Sequence, residues 1–560
     1  MPTLKGRALK HRIPVRLRHH WRVVAASGVF FAVLVGMVGT SRITPFVTSD
    51  QRAESDDVTV DVAGRTDLFD TSQPHTITLT YAADDYNRML DEYFTEGGKD
   101  WLQADLVLDG TRIDDVGIRL KGNSTLGGLT RNGQRATGNE GGGRRIERPP
   151  PGAEDNFRVI EGGGRGPGGM SNLKAEEPEN LPWLISFDEF VDGRRYQGRS
   201  EIAVRPATSM ASTTGLNEAV ALALVARSGE PSQRFSYSSF TVNDRPTVTR
   251  LLVEHPDQEY AKDLTGDGVL YKSLAGGQFT DQGADQTAYQ DDFDQINRKG
   301  SQDLQPVIDL IRWVENASDA EFAAGLADRL DVESFAKYAA LQNLLLNFDD
   351  MSGPGRNYYL YYNLDTTKFS VLTWDLNLAL SGDASQGPRE AGGFGGFRRR
   401  ADGGGQVPGG QPPGGQGPGA QGPGAQGPGA QPPGEAPAGE VPGGQAPGGQ
   451  APVVQVPEGE PAPPGGWRQG GAGFRGMSGH KLKERFLASA AFTKTYDDAY
   501  RELYQKIYGD GTAAAAVDRI AAMAKAAGGD AAALDSDAAG LRTLVAERRA
   551  ALAAEPLIGG

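Results

Sequence analysis

LDVESFAKYAALQNLLLNFDDMSGPGRNYYLYYNLDTTKFSVLTWDLNLALS, residues 330–381, is the stretch from which the fold is read. Phe335, Tyr338, Ala339, Leu341, Gln342 and Leu345 recur at the three- and four-residue steps of a buried helix face. The helix runs into Asn347-Phe348-Asp349-Asp350, and Gly353-Pro354-Gly355 forbids its continuation. The aromatic run Asn357 to Tyr362 predicts a strand, Asp365-Thr366-Thr367 a reversal, and Phe369 to Trp374 the returning strand, with Asp375 at its end. Carboxylates and an amide are thereby delivered to the tips of one helix and two paired strands. Metal and phosphoryl-transfer sites are assembled in this way. The plain alternative for Asp349 and Asp350 is a pair of solvated acids at a helix end.

Working outward, the 560 residues give ample chain for a large core, but the 77 Gly and 34 Pro are concentrated in two segments. A formal net charge of -15 argues against nucleic acid as a partner of the whole chain. The absence of cysteine excludes disulfides and thiolate metal sites. Six histidines, three of them before residue 21, leave little for a histidine-rich metal centre.

Residues 1–22 are basic with no acid, and 23–41 carry no charge at all. That pattern predicts one membrane span with its basic end in the cytoplasm and the remainder exported, a cleaved signal peptide being the rival reading. Residues 42–67 form a polar tether. Strands are expected near 76–81, 103–108, 116–121, 183–190, 200–205, 233–242, 249–254 and 268–272, and helices near 84–94, 215–228, 302–314 and 319–329. Two inserts, about 127–179 (Gly/Arg-rich) and 383–477 (Gly/Pro/Gln-rich), have compositions that cannot bury a core. QGPGA occurs three times over 416–430, and its five-residue period excludes collagen. An Ala-rich helical part, 478–554, follows.

Several blocks, in order, resemble the spore-coat CotH family of secretory atypical kinases. They are Leu68-Phe69-Asp70, Gly117-Ile-Arg-Leu-Lys-Gly-Asn-Ser124, Leu181-Pro-Trp-Leu-Ile-Ser-Phe187 and Gly268-Val-Leu-Tyr-Lys272. Asn347-Phe-Asp349, Asn357-Tyr-Tyr-Leu-Tyr361, Trp374-Asp-Leu-Asn377 and His480 to Phe486 complete the set. The resemblance covers roughly 68–380 and 478–550. It implies an α+β, kinase-like domain over 68–382 with its helical part at 478–554, using ATP and Mg²⁺ to phosphorylate serines of exported or cell-wall proteins. By position, it implies Asp349 as the catalytic base and Asp375 as the magnesium-binding acid. Asn357 lies close enough in sequence to Asp349 to be a second metal ligand, or else to satisfy the backbone of the Gly-Pro-Gly turn.

Lys121 and Asn123 leave a strand beside Gly122 and could reach phosphate oxygens; a simple strand-exit turn is the alternative. Lys272 and Glu254 end neighbouring strands and could form the Lys–Glu pair that orients phosphates in kinases, or an ordinary surface pair. The sequence departs from the family where Leu184 and Ser186 replace basic residues and where Asn377 replaces a second acid. Less charge at those positions keeps a second reading in view, a non-catalytic envelope scaffold that retains the fold. A wall enzyme acting on carbohydrate through paired carboxylates is a weaker third.

Overall fold

The computed structural model describes residues 58–122, 125–135, 173–206, 208–209, 211–392 and 479–559. The expected span at 23–41, its basic flank and Asn123 lie outside the described residues, and among those described no helix is long and apolar enough to cross a membrane.

The chain begins with β1 (Val60–Val62) and β2 (His75–Thr80), then α1 (Ala83–Glu96) and the hairpin β3 (Leu102–Leu108) and β4 (Thr111–Leu120). A small hairpin of β5 (Thr130–Arg131) and β6 (Gln134–Arg135) precedes β7 (Trp183–Ser186), β8 (Arg194–Tyr196), β9 (Glu201–Val204) and α2 (Leu216–Ser228). β10 (Phe235–Val242) and β11 (Val248–Glu254) form the expected antiparallel hairpin. Strands 10, 11, 9, 7, 4, 3 and 2, in that order, form a barrel closed by parallel pairing of β2 with β10. Its interior follows the two-residue period: Ile77 and Leu79 of β2, and Leu102, Ala104, Leu106 and Leu108 of β3, are buried. Closure leaves no free edge among these seven strands.

The ordered chain reaches into both compositionally biased segments. Leu129, Leu173 and Ala175 are buried in the barrel core, which explains why the flanks of the Gly/Arg-rich insert take fixed positions.

The second half opens with α3 (Gln258–Lys262), β12 (Gly268–Ser273) and β13 (Phe293–Gln295). α4 (Gln305–Asn316), α5 (Asp319–Gly325) and α6 (Val332–Leu344) lead into β14 (Tyr358–Asn363) and β15 (Lys368–Thr373). Strands 13, 12, 14 and 15 make a four-stranded antiparallel sheet. α5 starts in a capping box of Ser318 and Glu321, and α6 on an Asp331 cap. The α6 residues picked out by their spacing are all buried, as are Tyr358, Tyr359 and Tyr361 of β14, so the tyrosine run is core.

After the second insert, α7 (Lys481–Ala488), α8 (Thr493–Tyr504), α9 (Thr512–Ala526) and α10 (Ala531–Ala553) pack onto α6 and α2 in one large apolar cluster. Arg548 of α10 makes no salt bridge among the described residues. It is 1 % exposed and donates to the carbonyls of Asn343, Ala384 and Gln386 and to Asn343 Oδ1, tying the last long helix to the chain just beyond residue 381.

Candidate active site

A cavity of about 540 Å³ opens between β4, β7 and β9 of the barrel and β12 and the end of β15 in the sheet. Asp349, Asn357, Asp375, Lys121 and Lys272 all line it, although they lie on four different elements and span some 250 residues.

Asp349 sits in the loop that follows α6, after Leu346 turns the backbone left-handed at φ 51°. Its Oδ1 accepts the Gly355 N–H at 2.6 Å and its Oδ2 accepts the Asn357 amide at 3.0 Å. Only 5 % exposed, it is no solvated helix-end acid. Burial pushes its pKa up to about 6, and Asp375 and Asp350 add to the rise, whereas the Gly355 and Asn357 donors oppose it. Asn357 thus serves the loop directly: its amide also donates to the Asp349 carbonyl at 3.1 Å, leaving its oxygen as the group for a cation.

The loop is locked by the segment beyond the second insert. Lys483 pairs with buried Asp350, Gly479 N–H donates to the Ser352 carbonyl, and Arg356 donates to the carbonyls of Met351 and Gly479. His480 Nε2 meets the Tyr358 hydroxyl at 3.1 Å. Gly353 is required sterically, because a Cβ there would stand 2.6 Å from Asp349 Oδ1 and 2.7 Å from the Phe348 carbonyl. Gly353→Ala is therefore expected to displace Asp349 and to cost about 1–3 kcal/mol of stability. Urea unfolding would check this; an unchanged midpoint would mean the loop accommodates the methyl group.

Asp375 follows β15 with φ 52°, a left-handed conformation that is uncommon for a residue other than glycine and is concentrated at functional sites. Arg205 binds its Oδ1 and grips Glu218, in the first turn of α2, at 2.7 and 2.8 Å. Burial opposes the Asp375 charge, but Arg205 outweighs it and holds the carboxyl below its ordinary range. Glu218, buried beside Asp375, moves up. Arg205 uses one Asp375 oxygen and leaves Oδ2 for another ligand.

Lys121 and Lys272 approach the Trp374 ring at 5.2 and 5.4 Å, and neither ammonium group makes a hydrogen bond or close ion pair among the described residues. Burial lowers the pKa of both. The expected Lys272–Glu254 pair does not form. Glu254 is 2 % exposed, pairs with Arg199 at 2.7 Å, accepts the Arg234 N–H and does not line the cavity. Among the cavity-lining cations it is Arg205 that grips a glutamate, Glu218, and the acid facing Lys272 across the strands is Asp294.

Sequence reasoning missed Arg205, Glu218, Glu201 and His255. Glu201 lies 2.7 Å from His255 Nδ1, and His255 meets the Trp374 ring edge-on. Burial drives His255 down to about 4, so it is neutral at physiological pH, while Glu201, against its own burial, is brought down to about 2 by His255, Arg119 and Lys121. No sequence signal marked these residues, because each acts through a partner far along the chain.

The donor set suits Mg²⁺ carried on a polyphosphate. Among the described residues no cluster of three or more His, Cys, Asp or Glu could hold a metal alone, but Asp375 supplies one carboxylate and Asn357 an amide oxygen to the same cavity. One carboxylate is enough for Mg²⁺ when phosphates complete the shell. The cavity also contains an orphan: Asn377 Oδ1 is buried without a hydrogen-bond partner.

No curated protein matches the chain. Residues 171–409, which contain Arg205, Asp349, Asn357, Asp375 and most of the cavity wall, match the family model described as CotH kinase protein, and the match supports a CotH-like assignment for that segment.

Proposed function

We propose that the protein is an ATP- and Mg²⁺-dependent kinase acting on hydroxyl side chains of exported or cell-wall proteins, anchored to the cell membrane through residues 23–41 with its main domain outside. The observation that carries this reading is a pair of half-buried lysines, Lys121 and Lys272, without a side-chain hydrogen bond among the described residues, in one cavity with Asp349 and Asp375. Asp375 and Glu201 attract both ammonium groups and Asp294 attracts that of Lys272, yet burial still lowers the pKa of both, so their desolvation is offset only in part. A polyphosphate supplies the remaining compensation, which a scaffold with no nucleotide would lack.

In this reading Lys121 and Lys272 hold phosphate oxygens against Trp374. Asp375 Oδ2, Asn357 Oδ1 and Asn377 Oδ1 are the oxygens offered to Mg²⁺, which when bound neutralises charge on the transferring group. Arg205 fixes Asp375 and is itself fixed by Glu218. Asp349, oriented by Gly355 and Asn357, takes the proton of the acceptor hydroxyl.

The test is a thermal melt of the full chain with ATP, with and without Mg²⁺, beside Asp375→Ala. Nucleotide at about a hundred times its dissociation constant adds roughly 2.7 kcal/mol to stability. The expected result is a magnesium-dependent rise that the substitution removes. No rise at millimolar ATP would discard the kinase in favour of the scaffold.

A further inference from the structure

Two basic residues that the family resemblance places on β7 are Leu184 and Ser186 here, and both line the cavity. β4 lies beside β7, and Arg119 is the register partner of Leu184. Register partners project from the same face of a sheet, and so do residues two apart on a strand. Arg119 therefore shares the cavity face with Leu184 and with Lys121, and it lines the cavity with them. A cation lost from one strand is present on the next.

This guanidinium is built in and unclaimed. Its Cζ lies 4.5 Å from the centre of the Trp101 ring, its Nε is buried without a partner, and it makes no hydrogen bond or ion pair among the described residues. Gly117, two residues earlier, makes room for the brace: a Cβ there would stand 3.2 Å from Trp101 Cε3 and 2.6 Å from Glu189 Cβ. A planar fork stacked on an indole keeps its in-plane N–H groups free for an oxyanion, at little entropic cost.

We infer that Arg119, braced on Trp101, is a phosphate-binding residue of the cavity that replaces the missing β7 cations and contacts the polyphosphate of the nucleotide. This rests on the kinase reading above and adds the residue that compensates for its apparent defect. Lys99, Arg119, Lys121 and Lys272 all line the one cavity, and the pKa of Lys99 is pushed down to about 8 by burial and by Arg119 and Lys272. A polyanion relieves that mutual repulsion; a neutral nucleoside does not.

The experiment measures binding of ATP, inorganic tripolyphosphate and adenosine to the full chain and to its Arg119→Gln and Arg119→Lys variants by calorimetry, with a ligand-free melt of each. Loss of a charge-assisted hydrogen bond predicts about 10- to 100-fold weaker binding of ATP and tripolyphosphate to Arg119→Gln. Adenosine affinity should be unchanged, and Arg119→Lys should recover part of the loss. The ligand-free melting temperature should fall little, because no hydrogen bond or ion pair is removed and the lost Trp101 stack is offset by relief of repulsion from Lys99; a purely structural arginine would lower it in step with the affinity. Wild-type affinity for both polyphosphates in Arg119→Gln would overturn the inference while leaving the kinase reading intact. If Arg119→Gln raised only the KM for an acidic acceptor, the inference would also fall, and the guanidinium would belong to the acceptor's subsite. Failure of the wild-type protein to bind either polyphosphate would remove both.

Discussion

Asp349→Asn should abolish phosphoryl transfer and at the same time raise the melting temperature. The first effect follows from its place in the cavity. A positioned general base contributes about 10²- to 10⁴-fold, and an amide cannot accept the hydroxyl proton. The second follows from the rise of its pKa from 3.8 to about 6. A carboxyl whose folded pKa lies above its unfolded value adds stability below the unfolded pKa and loses it as pH climbs through the folded one. The native protein should therefore lose stability between about pH 4 and pH 6, by at most roughly 3 kcal/mol for a shift of this size. At neutral pH it bears that cost, and Asn at 349 does not. The same titration predicts an acid limb in kcat near pH 6, with activity rising as the base deprotonates. Melts and rate profiles from pH 4 to 8 on both proteins read all three effects. Retention of more than a tenth of the wild-type kcat would exclude Asp349 as the base. A variant melting below the wild type at neutral pH would show that the Gly355 and Asn357 donors outweigh burial.

The parts of this site legible in the sequence are those made by neighbours in the chain. The α6 periodicity, the Gly353-Pro354-Gly355 break and the β14–β15 hairpin are local signals, and together they place Asp349, Asn357 and Asp375 on one side of the cavity. The other side is made by long-range pairing. Barrel closure needs β2 beside β10, some 160 residues later, and nothing in either strand announces the match. Glu254 was misread for a related reason. Residues 250–254 of β11 are buried on both faces, so the two-residue alternation that would reveal which way Glu254 points is absent. Arg205 and Glu218 escaped because a loop arginine and a helix-start glutamate are ordinary until Asp375, 170 residues on, joins them. Leu184 and Ser186 looked like lost function when read along one strand. The sheet supplies Arg119 beside them.

Arg250→Met should cost about 3 kcal/mol or more of stability and weaken nucleotide binding without touching the cavity. Arg250 lies on β11, is 1 % exposed and has no carboxylate partner among the described residues. Instead its guanidinium donates to the carbonyls of Glu179, Leu181 and Arg205, the last through both Nε and a terminal nitrogen. Burial pushes it down to about 9, still charged at neutral pH. Methionine fills similar space with no donor, leaving three carbonyls in a region that water does not reach. An unsatisfied buried acceptor costs about 1–3 kcal/mol, partly offset by relief from burying the charge. One of these carbonyls belongs to Arg205, whose N–H also pairs with the Leu251 carbonyl, so the backbone beneath the Arg205–Glu218–Asp375 cluster rests on this residue. Urea unfolding measures the first effect and ATP titration with Mg²⁺ the second. A loss below 1 kcal/mol would mean that water replaces the guanidinium. Lost stability with unchanged nucleotide affinity would mean that Arg205 is held by Glu218 and Asp375 alone, and that the barrel's buried arginine serves the fold and not the site.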